Sequence, residues 1–136
     1  MKIAMGCAKV AYDLKEAVKA HVLGRGFEVV DFCEDPADPM PYAEVAARAA
    51  QGMLDAGCER GILFCGTGMG VSLVANLFPG ITAAVVESKF AARRCRYTNN
   101  ANVLCLSLIH ISYNFSESPD REKEERRTGK KTRMAR

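Results

Sequence analysis

The sequence predicts an α/β protein, in which a five-stranded parallel sheet lies between two layers of helices as a Rossmann-like sandwich. Short apolar runs, typical of buried strands, alternate with longer segments whose apolar residues recur at helical spacing. Glycine or proline follows several of these segments and marks their ends. Strands joined by right-handed helical crossovers pair in parallel and place helices on both faces of the sheet.

Five segments are predicted as strands because each is a short apolar run bounded by turn-forming residues. In a parallel sheet, ligands bind beyond the carboxyl ends of the strands. We therefore expect Cys7, Cys65 and Glu87, which end or follow such runs, to lie on that rim of the sheet. The predicted strands cover residues 2–7, 27–32, 61–65, 81–86 and 102–106.

Four segments are predicted as helices. The first ends before Gly24 and Gly26, and Pro79 and Gly80 end the third. The second has an alanine-rich apolar side that permits close packing, and the loop before it, residues 34–41, contains three prolines. The predicted helices cover residues 12–23, 42–56, 71–78 and 89–96.

Composition and charge exclude several classes of protein. The formal net charge is +3, and residues 117–136 carry all of it, with eight basic and five acidic side chains. The neutral remainder gives no general argument for nucleic-acid binding. No apolar run approaches the length of a membrane span, and the opening residues do not form a secretory signal. We therefore expect neither a nucleic-acid nor a membrane partner.

The six cysteines do not predict a metal site or a disulfide framework, because no C-x-x-C pair occurs and only two histidines are present. Reduced cysteine behaves as a small apolar residue, and this usage is typical of the reducing cytoplasm. Cysteines outside the glycine-rich segment described next are interpreted as packing residues; these are Cys7, Cys33, Cys58, Cys95 and Cys105.

The most informative segment is residues 62–72, where an apolar strand runs into Cys65, then a loop with glycine at every second position, then a helical pattern. This order places a thiol and a row of backbone N–H groups around one cavity, where anionic oxygens are stabilised. Glycines let the backbone approach a ligand closely. A thiol in such surroundings loses its proton more easily than free cysteine. The arrangement suits proton abstraction from, or nucleophilic attack on, a small anionic substrate.

These residues resemble the ribose-5-phosphate isomerase B / galactose-6-phosphate isomerase family over residues 1–106. The resemblance depends on Gly6-Cys7, Asp13-Leu14-Lys15, Ala75-Asn76, C-G-T-G-M-G at 65–70 and N-N-A-N-V-L at 99–104. It implies a five-stranded parallel α/β fold and the interconversion of aldose and ketose phosphates through an enediolate, with no metal or organic cofactor. It also implies a homodimer or a dimer of dimers, in which a partner subunit completes each active site.

The resemblance also assigns roles to residues. Cys65 would be the base that moves a proton between C1 and C2, and Thr67 would assist its deprotonation. Amides of the loop, at Gly66, Gly68, Met69 and Gly70, would hold the developing oxyanion, because fixed N–H dipoles stabilise an enediolate at little reorganisation cost. Thr67 could equally only stabilise the turn. Asn99 would bind substrate hydroxyls, or would only shape the turn into the last strand.

Two departures from the family pattern concern the substrate. Ala8-Lys9 replaces the family's Asp-His, which removes a substrate contact but leaves Lys9 able to pair with a phosphate. Thr98 occupies the position of the histidine that opens the sugar ring in ribose-phosphate members. A branch linked to erythrulose 4-phosphate also lacks this histidine, and a four-carbon ketose phosphate of this kind needs no ring opening. We therefore favour D-erythrulose 4-phosphate over ribose or ribulose 5-phosphate.

The third departure is the C-terminus, where the family has a glycine-containing turn, phosphate-binding arginines and a long helix. Residues 107–136 match none of these, so we divide the chain into an isomerase domain, 1–106, and a non-family tail, 107–136. We interpret the tail as disordered or as the product of a misassembled reading frame.

Two other functions stay open. The first is a catalytically impaired family relative, because of Ala8, Thr98 and the tail. The second is a nucleotide-binding module, because Gly66, Gly68 and Gly70 follow a strand; however, their spacing is G-x-G-x-G rather than G-x-G-x-x-G.

Overall fold

The computed structural model describes residues 1–109 of the 136-residue chain, and these form a five-stranded parallel sheet with four α-helices. The predicted fold class is confirmed. The strands are β1 (Lys2–Cys7), β2 (Glu28–Asp31), β3 (Arg60–Cys65), β4 (Ala83–Val85) and β5 (Val103–Ser107). The helices are α1 (Tyr12–Gly24), α2 (Tyr42–Asp55), α3 (Met69–Ala75) and α4 (Lys89–Asn99), and a 3-10 turn covers Lys9–Ala11.

Several elements begin or end at other residues than predicted. Helix α3 begins at Met69, because Gly68 lies in the left-handed region immediately before it, and it ends at Ala75. Helix α4 continues to Asn99, where Asn100, also left-handed, ends it. Strand β5 includes Ser107, one residue past the predicted domain boundary. That boundary stays a prediction, since residues 110–136 lie outside the described part of the chain.

The strand order β2-β1-β3-β5-β4 creates a topological switch point between β1 and β3. From β1 the chain crosses to β2 on one side, and from β3 it crosses to β4 on the other. The two connections diverge at the carboxyl edge and leave a crevice there, which is where open α/β sheets bind ligands. Cys7 ends β1, Cys65 ends β3, and the N–H of Ala8 donates to the carbonyl oxygen of Phe64 at 2.8 Å.

Two apolar cores lie on opposite faces of the sheet. On one face, α2 and α3 pack against the sheet through small side chains such as Ala46, Ala49 and Ala75. Helix α2 lies so close that a Cβ at Gly6 would stand 3.0 Å from Cβ of Ala49. On the other face, α1 packs on larger side chains, including Phe64. No residue of α4 is buried within the described part of the chain.

A buried ion cluster joins α1 to the edge strand β2. The Lys15 side chain is fully buried, and its Nζ lies 2.7 Å from Asp31 Oδ2, 2.6 Å from Glu16 Oε1 and 2.8 Å from the carbonyl oxygen of Cys33. Burial by itself lowers the pKa of Lys15, but hydrogen bonds to Asp31 and Glu16 outweigh it, so the pKa is raised. Burial likewise acts to raise the pKa of Asp31, yet hydrogen bonds from Lys15, the Cys33 N–H and Lys19 lower it. Both groups are therefore charged at neutral pH.

Within residues 1–109, no helix combines the length and the apolar character that a membrane crossing requires.

Candidate active site

A hollow of about 520 Å³ lies at the switch point, beyond the carboxyl ends of β1 and β3. The loop after β1, the loop before α2 and the glycine loop after β3 form its walls. It is lined by Ala8, Lys9, Val10, Met40, Pro41, Tyr42, Cys65, Gly66, Thr67 and Gly70. The structure thus brings five of the predicted site residues together: Lys9, Cys65, Gly66, Thr67 and Gly70.

Cys65 ends β3 and lines this hollow, although only 5% of the residue is exposed. Its Sγ accepts a hydrogen bond from the backbone N–H of Gly68 at 3.0 Å. A fixed N–H directed at sulfur can stabilise negative charge there, since hydrogen bonds to a charged acceptor are stronger than those to a neutral one. Cys105, on the neighbouring strand, stays a neutral thiol, because burial and the nearby Cys65 raise its pKa to about 12.

The backbone of β5 fixes the conformation of the glycine loop. Gly68 has a φ of +75°, and a Cβ there would stand 3.2 Å from the carbonyl oxygen of Cys105. Only glycine combines this left-handed conformation with so close an approach to another strand. Gly68 itself does not line the hollow; its part in the site is the hydrogen bond to Cys65.

Thr67 is exposed at the rim of the hollow, and its Oγ1 accepts the N–H of Met69 at 3.2 Å. This is the turn-stabilising bond that the sequence left open as an alternative. The N–H groups of Gly68 and Met69 are both hydrogen-bonded within the loop. Of the four loop residues predicted to hold the oxyanion, Gly66 and Gly70 are the two that line the hollow.

Lys9 supplies positive charge to the hollow. It begins the 3-10 turn after β1, and its N–H donates to the carbonyl oxygen of Met40 at 3.3 Å. Among the described residues that line the hollow, Lys9 has the one charged side chain. An exposed ammonium group in this position can pair with the terminal anion of a small substrate.

Tyr42 is a residue of the hollow that the sequence did not single out. It is the first residue of α2, and the fully buried Met40, with a φ of +47°, turns the chain toward this position. The Tyr42 ring lies against Gly70, where a Cβ would stand 2.7 Å from a ring carbon. A topological signal was available: a helix that follows a parallel strand begins at the carboxyl edge of the sheet, so the first residues of α2 must face this rim.

Asn99 and Thr98 lie away from the hollow. They end α4, which begins after β4 at the carboxyl edge and leads into the start of β5 at the amino edge. Thr98 Oγ1 lies 2.7 Å from the carbonyl oxygen of Arg94 and 2.9 Å from Asn99 Oδ1. Neither residue lines the hollow of its own chain. Glu87, expected on the rim, does not line it either.

The chemistry available in the hollow is therefore a sulfur near backbone donors, one ammonium group, a threonine hydroxyl and a tyrosine ring. Nowhere in residues 1–109 do three or more His, Cys, Asp or Glu side chains form a group able to hold a metal ion. The set suits proton transfer on a small anionic substrate.

Comparisons with known proteins agree with this chemistry. A protein from Clostridium sp. (strain MSTE9), named 4-deoxy-4-sulfo-D-erythrose isomerase, is 47% identical over 107 residues, which are 78% of this chain and 67% of that protein. The D-erythrulose-4-phosphate isomerase of Pectobacterium atrosepticum is 39% identical over 78% of this chain and 70% of its own length. Ribose-5-phosphate isomerase B of Clostridium thermocellum superposes with a TM-score of 0.75 at 38% identity, covering 79% of this chain and 73% of that one.

The model of the Ribose/Galactose Isomerase family matches residues 3–118. These matches confirm the resemblance drawn from the glycine loop and give no support to a nucleotide-binding module. The chain belongs to the ribose/galactose isomerase family and is an aldose–ketose isomerase of the sugar-phosphate isomerase type.

Proposed function

We propose that this chain isomerises a four-carbon sugar with a terminal anionic group and that Cys65 is the base. The observation that carries the proposal is the Cys65 sulfur, which lies 3.0 Å from the N–H of Gly68 in a residue that lines the hollow at the switch point. A base must lie within reach of the carbon acid and must be unprotonated when substrate binds. The Gly68 N–H holds the sulfur by a hydrogen bond, and the hollow gives the sulfur access to substrate.

The proposed reaction conserves all atoms. The thiolate of Cys65 takes the proton from C2 of the aldose, the C2 electron pair forms the C1=C2 double bond, and the aldehyde oxygen becomes the enediolate oxygen. The thiol then returns its proton to C1, while a proton moves from O2 to O1 and C2 becomes the ketone. Gly66 and Gly70 line the hollow in which the enediolate charge would develop, which supports the assignment of their N–H groups as its donors.

The substrate proposal depends on two observations. Thr98 stands where ribose-phosphate members have the ring-opening histidine, which suits a sugar that does not close a ring. One relative, at 47% identity, is named for a four-carbon sulfosugar, and another, at 39%, for a four-carbon sugar phosphate. Lys9, as a single ammonium group, is compatible with a terminal phosphate or sulfonate. We therefore place D-erythrulose 4-phosphate first, its sulfo analogue second and ribose 5-phosphate third.

We further propose that the active unit is a homodimer. Asn99 lies at the opposite edge of the sheet from Cys65, so it can contact substrate in this hollow only if a second copy supplies it. Helix α4, which carries Asn99, exposes 74% of Phe90 and 86% of Tyr97, as expected of a surface that another subunit covers. We also propose a cytoplasmic location, supported by the six cysteines, all of which are free thiols.

A substrate panel tests the proposed function. Purified full-length chain is assayed with D-erythrulose 4-phosphate, 4-deoxy-4-sulfo-D-erythrose and ribose 5-phosphate, and native mass is measured on the same sample. We expect the highest kcat/KM for a four-carbon substrate. We expect the native mass to be that of a dimer. Equal kcat/KM for all three sugars would contradict the substrate assignment. A folded chain that turns over none of them would support the impaired-relative alternative.

A further inference from the structure

The last residue of β5, Ser107, lies directly beside the proposed base. In the parallel pairing of β3 and β5, Ser107 is in register with Cys65. Only 2% of Ser107 is exposed, which is unusual for a serine unless its hydroxyl is hydrogen-bonded. Ser107 lies one residue past the predicted end of the isomerase domain, Leu106.

The hydroxyl of Ser107 has a defined direction. Its Oγ accepts the backbone N–H of Ile109 at 3.1 Å. The same Oγ lies 3.0 Å from the carbonyl oxygen of Gly66, to which it donates its proton. That carbonyl belongs to the peptide that links Gly66 to Thr67, so the bond fixes the orientation of the first peptide plane of the glycine loop.

Within residues 1–109, side-chain packing does not hold Gly66 in place. Apart from its chain neighbours, no described residue has an atom within 4 Å of the position that a Cβ would take there. Two residues later, Gly68 lies against the backbone of β5 and donates its N–H to Cys65 at 3.0 Å. The direction of this N–H depends on the path of the chain from Gly66, because both residues belong to the same short loop.

We propose that Ser107 is a positioning residue of this isomerase: its hydroxyl fixes the Gly66 peptide and thereby keeps the N–H of Gly68 directed at the Cys65 sulfur. This inference rests on the proposed role of Cys65 as the base. Ser107 does not line the hollow and acts through the loop, so its loss should disturb the hydrogen bond at the base and leave substrate binding nearly unchanged.

Three other titratable groups lie near Cys65, and a Ser107 variant leaves all three unsubstituted. Lys9 of the 3-10 turn and Tyr42 of α2 line the same hollow, and Cys105 of β5 is the neighbouring thiol. Helix α3, Met69–Ala75, has no titratable side chain. A change in pH dependence would therefore report on the hydrogen bonds at Cys65.

The test compares Ser107→Ala, Ser107→Val and Ser107→Thr in the full-length chain. Valine and threonine have nearly the same shape and both suit a strand, so their difference isolates the hydroxyl. Ser72→Ala is the matched control, because Ser72 is also a buried serine whose hydroxyl donates to a carbonyl oxygen, that of Met69 at 2.7 Å, within α3. Each variant is first checked for cooperative thermal unfolding.

The readouts are kcat and KM against pH, and the rate of Cys65 alkylation by iodoacetamide against pH, followed on the Cys65 peptide by mass spectrometry. In Ser107→Ala and Ser107→Val, we expect the pH of half-maximal kcat/KM and of half-maximal alkylation to rise by about 0.5 to 1 unit, the value of one weakened hydrogen bond to a charged acceptor. At neutral pH, kcat should fall about three- to tenfold with KM nearly unchanged. Ser107→Thr and Ser72→Ala should keep the wild-type profile.

Two results separate this inference from the proposed function. If Cys65→Ala is folded and inactive but folded Ser107→Ala and Ser107→Val keep the wild-type pH profile, the positioning role of Ser107 is wrong and Cys65 remains the base. If folded Cys65→Ala turns over substrate as fast as wild type, the proposed function itself is wrong. A Ser107→Thr variant that behaves like Ser107→Val would also overturn the inference.

Discussion

The ring of Tyr42 lies against Gly70, so close that a methyl group at position 70 would stand 2.7 Å from the nearest ring carbon. Tyr42 is the first residue of α2 and Gly70 lies in the first turn of α3, so this contact joins two helices at the wall of the hollow. About half of Tyr42 is exposed, so the ring has room to turn away.

We expect Gly70→Ala to displace the Tyr42 ring rather than to unfold the protein. A displaced ring changes the wall of the hollow, and misplacement of this kind should lower kcat/KM by about three- to tenfold. The free energy of unfolding should change by less than about 1 kcal/mol, because alanine favours helix while the ring adjusts. The measurements are steady-state kinetics and urea unfolding.

A double variant provides the control for this contact. With Tyr42→Ala present, alanine at position 70 meets no ring, so the added effect of Gly70→Ala on kcat/KM should vanish. If Gly70→Ala reduces kcat/KM equally with and without the Tyr42 ring, the contact does not shape the hollow.

Gly68 and Gly66 provide a matched pair within one loop. Gly68 has a φ of +75° and faces the carbonyl oxygen of Cys105, whereas a Cβ at Gly66 would meet no other residue of the described part of the chain. We expect Gly68→Ala to lower the free energy of unfolding by about 2 kcal/mol, from the left-handed backbone and the approach to a strand that cannot move aside. Gly66→Ala should change it by less than about 0.5 kcal/mol. Urea unfolding compares the two, and equal losses would contradict the account of the loop.

Much of this architecture follows from the sequence. The alternation of apolar runs and helical patterns predicts the sheet, and glycines in the C-G-T-G-M-G loop predict a close approach of backbone. Gly68 shows why a glycine is needed in this loop, since a Cβ at this position would stand 3.2 Å from the carbonyl oxygen of Cys105. The sequence also predicts that Cys65 ends a strand at the rim, because a parallel strand that precedes a helix must end at the carboxyl edge.

What the sequence did not predict depends on contacts between distant segments. Ser107 and Gly66 are 41 residues apart, and only the pairing of β3 with β5 brings them together. Lysine is a residue type usually found at the surface. Lys15 can be buried only because β2 places Asp31 beside it. The position of Asn99 follows from the direction of α4, which runs from the carboxyl edge of the sheet to its amino edge.

The cluster around Lys15 should be among the most sensitive sites for stability. Lys15→Met leaves Asp31, whose side chain is 1% exposed, without its closest partner. Removing one member of a buried ion pair costs about 3 kcal/mol or more. Lys19→Met is the matched control, because Lys19 bonds the same carboxylate from a partly exposed position, at 3.0 Å. We expect a clearly smaller loss for Lys19→Met, and losses of equal size would contradict the account.

The same cluster sets a pH dependence. The pKa of Asp31 is lowered in the folded protein, so its contribution is present above the pKa of an unfolded aspartate, about 4, and is lost as pH falls toward the folded value. The pKa of Lys15 is raised, so its contribution is present below about 10.4 and is lost as pH rises through the folded value. As the pH is lowered from 7 to 2, the free energy of unfolding should fall more steeply in wild type than in Asp31→Asn.

Lys9 should contribute to substrate binding through its charge. We expect Lys9→Met to raise KM for a sugar phosphate about two- to fivefold, the value of one exposed ion pair, with kcat nearly unchanged. Added salt should raise KM in wild type and much less in this variant, because screening acts on the same charge. Lys2→Met, at the amino edge of the sheet, is the control and should leave KM unchanged. An unchanged KM in Lys9→Met would exclude Lys9 from the site.

The central claim is that the Cys65 sulfur transfers the proton between neighbouring carbons of the sugar. The most direct test is the turnover of the best four-carbon substrate in D₂O by wild type, Cys65→Ala and Cys95→Ala, with deuterium at C1 and C2 followed by mass spectrometry. Cys95, on α4, is the control because it does not line the hollow. We expect Cys65→Ala to lose at least about 100-fold in kcat and in deuterium incorporation while keeping its cooperative unfolding, and Cys95→Ala to match wild type. A folded Cys65→Ala variant that isomerises the sugar at the wild-type rate would contradict the claim.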